Sequence, residues 1–322
     1  MAESTRLLLP SLDEYLGPAD KRFFGAGYRR PRHSLSAVSV TAHPDGTGVI
    51  SGVAAVEYPK DWSRKGTADQ PPHLSTVDVI VLGERLAALY LQAAFGVSAG
   101  DPRVEALGTI RISAGSSPVE EELAGFRVEA RAASTMDLGT PSVVCTTFDC
   151  AIANLRLVVS LRHPPGERRD TTAPVPDVTG PPSGRRPFAT GWAERANTAS
   201  DVVVDRDTLT ASARARFGPA PSGPVRPQDL VVDAFVVTLQ LGQILLYELD
   251  RFDRADSNTL WMRQTEIRWP TRPRDVAGLP AATTRLVRPR LLDRGTGRWR
   301  VADIRGDVYG VAVHCAIAHL VP

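Results

Sequence analysis

The chain of 322 residues sets 38 basic side chains against 36 acidic ones, a formal charge of +2, so it offers no strong field to nucleic acid or to an anionic membrane. With 43% hydrophobic residues it can bury one large core or two ordinary ones. Cys145, Cys150 and Cys315 are odd in number and scattered through apolar runs without a CxxC pair, which predicts buried thiols in a reducing compartment rather than a disulfide framework or a metal site.

The opening MAESTRLLLPSLDEYLGP has too short an apolar run for a signal peptide, and no later segment reaches the length of a membrane span. A cytoplasmic protein without a membrane partner is expected. FFGAGYRR, from Phe23, contains Gly-x-Gly but follows no convincing strand and lacks the third glycine and downstream acid of a dinucleotide site, so a tight turn packed under Phe23 and Phe24 is expected. SLSAVSV, HPDGTG and VISGVAAVEYP then read as strand, turn and strand, with Pro44, Asp45 and Gly46 marking the turn.

YPKDWSRKGTADQPPHLSTVD, Tyr58 to Asp78, is too polar and proline-broken for a strand. It holds two of the three lysines, Lys60 and Lys65, in a chain that otherwise writes its cations as arginine. From Ser75 to about Phe95 the sequence is apolar almost all round, which predicts a helix buried on most sides. A meander of about four strands follows, at LGTIRIS, FRVEARA, SVVCTTFDCAI and LRLVVSLRH. Residues 164–188 are dense in proline and glycine and predict an extended linker.

The second half repeats the first. ATGWAERA and TLTASARARFGP predict a hairpin around Asp205 to Asp207, and Val231 to Leu249 is a second all-round apolar helix. It aligns with the first so that Asp78 matches Asp233 and Arg85 matches Gln240. Strand-like runs follow at LWMRQTEIRW, TTRLVRPRLL, RWRVADIR and YGVAVHCAIAH, and the final strands of the two halves end on His163 and His319. A sheet wrapped around one central helix buries that helix on nearly every side. The expected fold is therefore α+β, a double hotdog: residues 1–163 as the first repeat with an N-terminal extension, 164–188 as the linker, and 189–322 as the second repeat.

LGPADKRFFGAGYRR, YPKDWSRKG and PHLSTVD together resemble the avirulence D (AvrD) family of bacterial proteins, most closely from about Tyr15 through the first repeat. The resemblance implies a role in making syringolide-type signal molecules, in which a β-ketoacyl chain is joined to the ketopentose xylulose. By analogy it also implies a likeness to the A-factor synthases, which join a β-ketoacyl thioester to a small hydroxyketone phosphate. The co-substrates implied are a β-ketoacyl-acyl carrier protein or β-ketoacyl-CoA and a sugar or other hydroxyketone; no cofactor and no metal are required, and a monomer or homodimer is expected.

On the residues, His73 stands just ahead of Ser75, the expected helix N-cap, where a base and an oxyanion site can coexist. Asp78 has two readings, catalysis or a capping box with Ser75. Asp233 is a buried carboxylate, costly to keep without a partner or a task, and Gln240 lies about two turns further along the same helix. The two faintly resemble the Asp and Gln pair of double-hotdog dehydratases, though their spacing departs from it and the first repeat lacks the dehydratase His motif. His73, Asp78 and Asp233 are thus the catalytic candidates. Asp61, Trp62, Lys65, Ser75, Gln240 and Gln243 are the candidates for substrate contact: Lys65 as a compact charge for an anion or polarised carbonyl, Trp62 as an acyl-channel wall or a lid over the core. The second reading, from a different class, is a non-catalytic acyl-signal binding module.

Overall fold

Alternation of apolar and polar residues builds most of the chain into long antiparallel strands, and the two apolar runs without alternation become its two long helices. In the computed structural model the described residues are 5–65, 68–98, 100–115, 117–139, 142–180, 186–218, 226–257, 259–270, 281–295 and 297–321. The chain opens with β1 (Arg6–Ser11) and the short helix α1 (Leu12–Leu16), then forms the expected hairpin of β2 (Arg32–Ala42) and β3 (Gly48–Glu57). Two-residue strands β4 (Arg64–Lys65) and β5 (Ala68–Asp69) pair ahead of α2 (Thr76–Phe95). The predicted meander follows as β6 (Glu105–Ser113), β7 (Phe126–Asp137), β8 (Val144–Ile152) and β9 (Leu155–His163), and then β10 (Thr171–Val175). The second half runs β11 (Ala196–Asp205), β12 (Thr210–Gly218), α3 (Val231–Asp250), β13 (Trp261–Arg268), β14 (Ala281–Arg294), β15 (Gly297–Val308) and β16 (Val311–Leu320).

These elements fall into two compact units. Residues 31–58 and 72–190 make one, with strand order β6-β9-β8-β7-β3-β2-β10; residues 1–30, 59–71 and 191–322 make the other, with order β13-β16-β15-β14-β12-β11-β1. The order is the same in both: first meander strand, fourth, third, second, hairpin, and a borrowed edge strand. α2 packs on β2, β3, β7, β8 and β9, and α3 on β11, β12, β14, β15 and β16. An antiparallel sheet on one long helix fits a hotdog fold. Residues 1–30 and 59–71, which sequence order places with the first half, cluster instead with residues 191–322.

α2 starts where Ser75 and Asp78 close a capping box and stops at Gly96, whose φ of 66° only glycine adopts without strain. Of its residues only Gln92 is exposed. The stretch Pro227–Asp250 is long and apolar enough by composition to cross a membrane, which corrects the expectation that no segment reaches that length; 94% of its apolar window is buried in the protein.

Two local expectations are corrected. ATGWAERA is a series of turns and not a strand, because Ala189 (φ 55°) and Gly191 (φ 69°) leave the extended region while Phe188 and Trp192 turn inward and are buried. Within the stretch expected as a linker, Thr171–Val175 pairs with β2 as an edge strand, the one place in a sheet that tolerates a residue such as Pro174 without an N–H.

The fourth meander strand of each unit delivers a buried histidine to the C-terminal end of its helix. His163 packs edge-on against Phe95 at 4.7 Å; its Nδ1–H donates to the Pro164 carbonyl at 2.7 Å and its Nε2 accepts from the Thr146 hydroxyl at 2.8 Å. His319 stacks on Phe252 at 5.3 Å and lies 6.4 Å from the Tyr247 ring. Burial pushes both imidazoles down to about 4, so each is neutral in the native protein.

Candidate active site

The start of α2 gathers a carboxylate, an imidazole and two hydroxyls. Asp78, 1% exposed, takes Nε2–H of His33 on Oδ1 at 2.7 Å, and on Oδ2 the backbone N–H of Ser75 at 2.8 Å with the hydroxyls of Ser75 and Tyr58. The Ser75 hydroxyl accepts in turn from the Asp78 N–H at 3.2 Å, completing the cap. Burial works against the charge, but the hydrogen bond from His33, with the Ser75 and Tyr58 hydroxyls, holds the carboxyl below the usual range. Asp78 is thus a saturated acceptor, suited to orienting an imidazole rather than to taking a proton. The capping reading of Asp78 is seen at Oδ2, while Oδ1 faces the histidine.

His33, 4% exposed, is the second residue of β2 and is fixed from a second side, its backbone carbonyl accepting from Arg85 Nη1 at 2.9 Å. His73 is half-buried and meets the cluster through its backbone carbonyl, 2.8 Å from the Tyr58 hydroxyl. The Tyr58 hydroxyl therefore ties the loop at His73 to the helix start.

In the other unit the matching carboxylate, Asp233, is fully buried at the third position of α3. Its Oδ2 accepts from both Nε (2.9 Å) and Nη2 of Arg195, a residue 1% exposed just ahead of β11. Arg195 Nη2 also donates to the Asp229 carbonyl. Burial raises the Asp233 carboxyl despite the guanidinium beside it. The Asn197 amide donates to the Tyr28 hydroxyl at 2.8 Å, and Tyr28, completely buried, stacks on Trp192 at 5.7 Å. Each unit therefore pairs the third residue of its long helix with a basic side chain at the start of its hairpin: histidine in one, arginine in the other. Gln240 accepts on Oε1 from Arg22 Nη1 at 2.5 Å while Arg22 Nη2 binds Asp13, and Gln243 is half-buried.

The lysine-bearing string lies in the unit of α3. Asp61 is exposed and held by Arg30 at 2.6 Å; that hydrogen bond lowers its carboxyl. Trp62, 1% exposed, donates Nε1–H to the Gln70 carbonyl at 2.7 Å and meets Phe23 edge-on at 5.0 Å, so it stands as a lid over the core. A Cβ on Gly27 would fall 2.2 Å from the Trp62 carbonyl, which explains the glycines of FFGAGYRR as close backbone packing. Lys65 Nζ donates to the Ser257 carbonyl at 2.7 Å, and burial, with Arg254 nearby, lowers it to about 8.

The structure brings Ser75 and Asp78 together and gathers Asp61, Trp62, Lys65, Asp233, Gln240 and Gln243 into one unit, with His73, Ser75 and Asp78 in the other. His33, Tyr58, Arg195, Tyr28 and Arg22 escaped the sequence reading. The one available signal was the demand a buried carboxylate makes for a cation, which names no position. Among the described residues no group of three or more His, Cys, Asp or Glu could hold a metal ion.

A family model described as Pseudomonas avirulence D protein (AvrD) matches residues 7–322. No curated protein matches the chain. Among solved structures, a protein described as an oleoyl thioesterase from Lactobacillus plantarum is 12% identical over 87% of this chain and 99% of its own, with a TM-score of 0.42. The tesB protein of Mycobacterium avium subspecies paratuberculosis is 9% identical over 84% and 93%, with a TM-score of 0.38. An acyl-CoA thioesterase II from Mycobacterium marinum is 13% identical over 85% and 92%, with a TM-score of 0.34. The family match takes in nearly the whole length of the sequence, both units included, and the chain belongs to the AvrD family.

Proposed function

We propose that this AvrD-family protein is a double hotdog that processes acyl thioesters, and that it condenses a β-ketoacyl thioester with a polyhydroxy ketone such as xylulose. The observation that carries the proposal is the His33–Asp78 pair at the start of α2. With Nε2–H given to Asp78, Nδ1 holds the lone pair that can take a proton. His33 takes the proton of the attacking sugar hydroxyl as its oxygen bonds to the thioester carbonyl carbon. The helix start stabilises the oxyanion, then the C–S bond breaks and the thiolate leaves with that proton. His33, neutral again once the thiol has left, takes a proton from the methylene of the β-keto ester, which two carbonyls acidify; the carbanion bonds to the sugar ketone carbon and the ketone oxygen takes that proton. His73, beside the same cap, is the other base this reading admits, and neither step needs a cofactor.

Lys65, in the unit of α3, carries a separate part of the proposal: a compact ammonium, lowered to about 8 and anchored on the Ser257 carbonyl, suits a ketone or sugar oxygen. Lys65→Arg should raise KM for the ketose about tenfold, the loss of roughly one hydrogen bond, and leave KM for the thioester unchanged. Equal KM for the ketose in both proteins would make the lysine a structural tie.

The purified protein, given a β-ketoacyl thioester and xylulose, should release thiol and form a product whose mass equals both substrates less the thiol. His33→Gln should slow thiol release roughly a hundredfold with folding intact. His73→Asn tests the other base in the same assay. The burial of His33 and Asp78 favours the second reading, an acyl-signal binding module; saturable binding of the thioester without thiol release would establish it and end the catalytic proposal.

A further inference from the structure

Outside the helix-start clusters, the unit of α3 carries a trough of about 690 Å³ on its sheet. Small-ligand sites span roughly 300–1,000 Å³. The register draws it. Arg290 of β14 lies opposite Val301 of β15, Val301 opposite Ala318 of β16, and Ala318 opposite Trp261 of β13. One row across four strands thus has a guanidinium at one end, an indole at the other and only small side chains between. Three strand spacings make that row about 14 Å long. In the next row Trp299 of β15 lies opposite Leu292, and on the other side Ala316 continues the low floor. Ile304 and Gly306 face α3, against Gly242 and Thr238, so alternation sends Trp299, Val301 and Asp303 to the opposite face.

Two β-bulges flank this row, at Arg263 in β13 and at Arg288 and Pro289 in β14, where Arg288 takes a φ of 53°. Bulges re-aim side chains and concentrate near sites. The Arg263 guanidinium lies 4.5 Å over the Trp261 ring, a shelf that fixes its direction. The carboxylate lining the trough, Asp303, is already bound by Arg288 and faces His314 at 3.5 Å. Arg263, Arg290 and Arg294 also line the trough and are exposed. Three exposed guanidiniums around an open floor with a half-buried indole suit phosphate oxygens beside a flat ring.

We infer that this trough binds a purine nucleotide carrying two or more phosphates, its base on Trp299 and its phosphates on Arg263, Arg290 and Arg294. The same chemistry is offered by a free nucleotide and by the nucleotide end of coenzyme A; only the second source rests on the acyl-thioester reading.

Calorimetric titration of the full chain with ADP, adenosine 3′,5′-bisphosphate, coenzyme A, pantetheine and inorganic phosphate tests the inference. The nucleotides should bind at least tenfold more tightly than phosphate, and pantetheine should not bind the trough. Arg290→Ala, Arg263→Ala and Trp299→Ala, each checked for native circular dichroism, should weaken nucleotide binding at least tenfold. Coenzyme A and the bisphosphate binding ahead of ADP identify the thioester carrier as the source; ADP ahead of both identifies a free nucleotide. Nucleotide binding that is absent, or unchanged in all three variants, overturns the inference, as does tighter binding of a single-stranded oligonucleotide. Thiol release from an N-acetylcysteamine thioester, which carries no nucleotide, separates the two proposals. Release that persists without nucleotide binding rejects only the trough, and nucleotide binding without release rejects only the synthase.

Discussion

Asp233→Ala should cost about 3–5 kcal/mol of stability, because it leaves the Arg195 guanidinium buried without its counter-charge. The pair sits where water does not reach, at 0% and 1% exposure, so neither partner can be rescued by hydration. Burial already raises the Asp233 carboxyl, a sign that desolvation outweighs the attraction of Arg195. Replacing both partners by apolar residues of similar volume, as in Arg195→Met with Asp233→Leu, should therefore restore most of the loss or exceed the parent. Urea unfolding of the two single variants and the double variant closes the cycle. A double variant as unstable as the worse single one would mean that the pair fixes the local fold and is more than an isolated ion pair.

Acid should unfold this protein early. His163 and His319 are held neutral at about 4, against about 6.5 for a free imidazole. As pH falls through 6.5 the unfolded chain takes up protons that the folded chain refuses, so stability is complete above 6.5 and drains away down to about 4. A depression of this size corresponds to about 3 kcal/mol for each histidine. Two such sites match much of the roughly 5–15 kcal/mol that holds a domain together. The urea midpoint should fall steeply between pH 6.5 and pH 4.5, and His163→Gln should flatten that fall by about half even where it lowers stability at pH 7.5. A midpoint constant across this range would show that both imidazoles protonate in place.

The fold was legible wherever periodicity speaks. Both long helices, both hairpin turns and all eight meander strands stand where alternation or its absence puts them, and Ser75 caps α2 as its sequence states. ATGWAERA misled because two backbone angles, invisible in composition, fold it into turns. At the site, the carboxylates were legible and their partners were not. Asp78 and Asp233 stand out as acids in apolar helices, but His33 lies 45 residues and Arg195 lies 38 residues from the acid each one meets. Such pairing is fixed by how a hairpin lies on a helix, a tertiary fact that no local window contains. The lysine string likewise declared its chemistry but not its position: Lys65 meets Ser257 across 192 residues.

The edge strand β1 has a consequence for how the chain is made. Leu8 pairs with Val203, a separation of 195 residues. At about 5–20 residues per second, the ribosome needs roughly 10–40 s to deliver that partner. For that time RLLLPS, with Leu8 still 71% exposed even in the finished protein, is a nascent strand without a sheet. The unit of residues 31–58 and 72–190 can close first, its borrowed strand β10 arriving from its own C-terminal side. The unit of α3 can close only after β16 (Val311–Leu320) has been made. RLLLPS therefore leaves the ribosome long before its partner strand, and its shortness limits how much unpaired edge it exposes in the meantime.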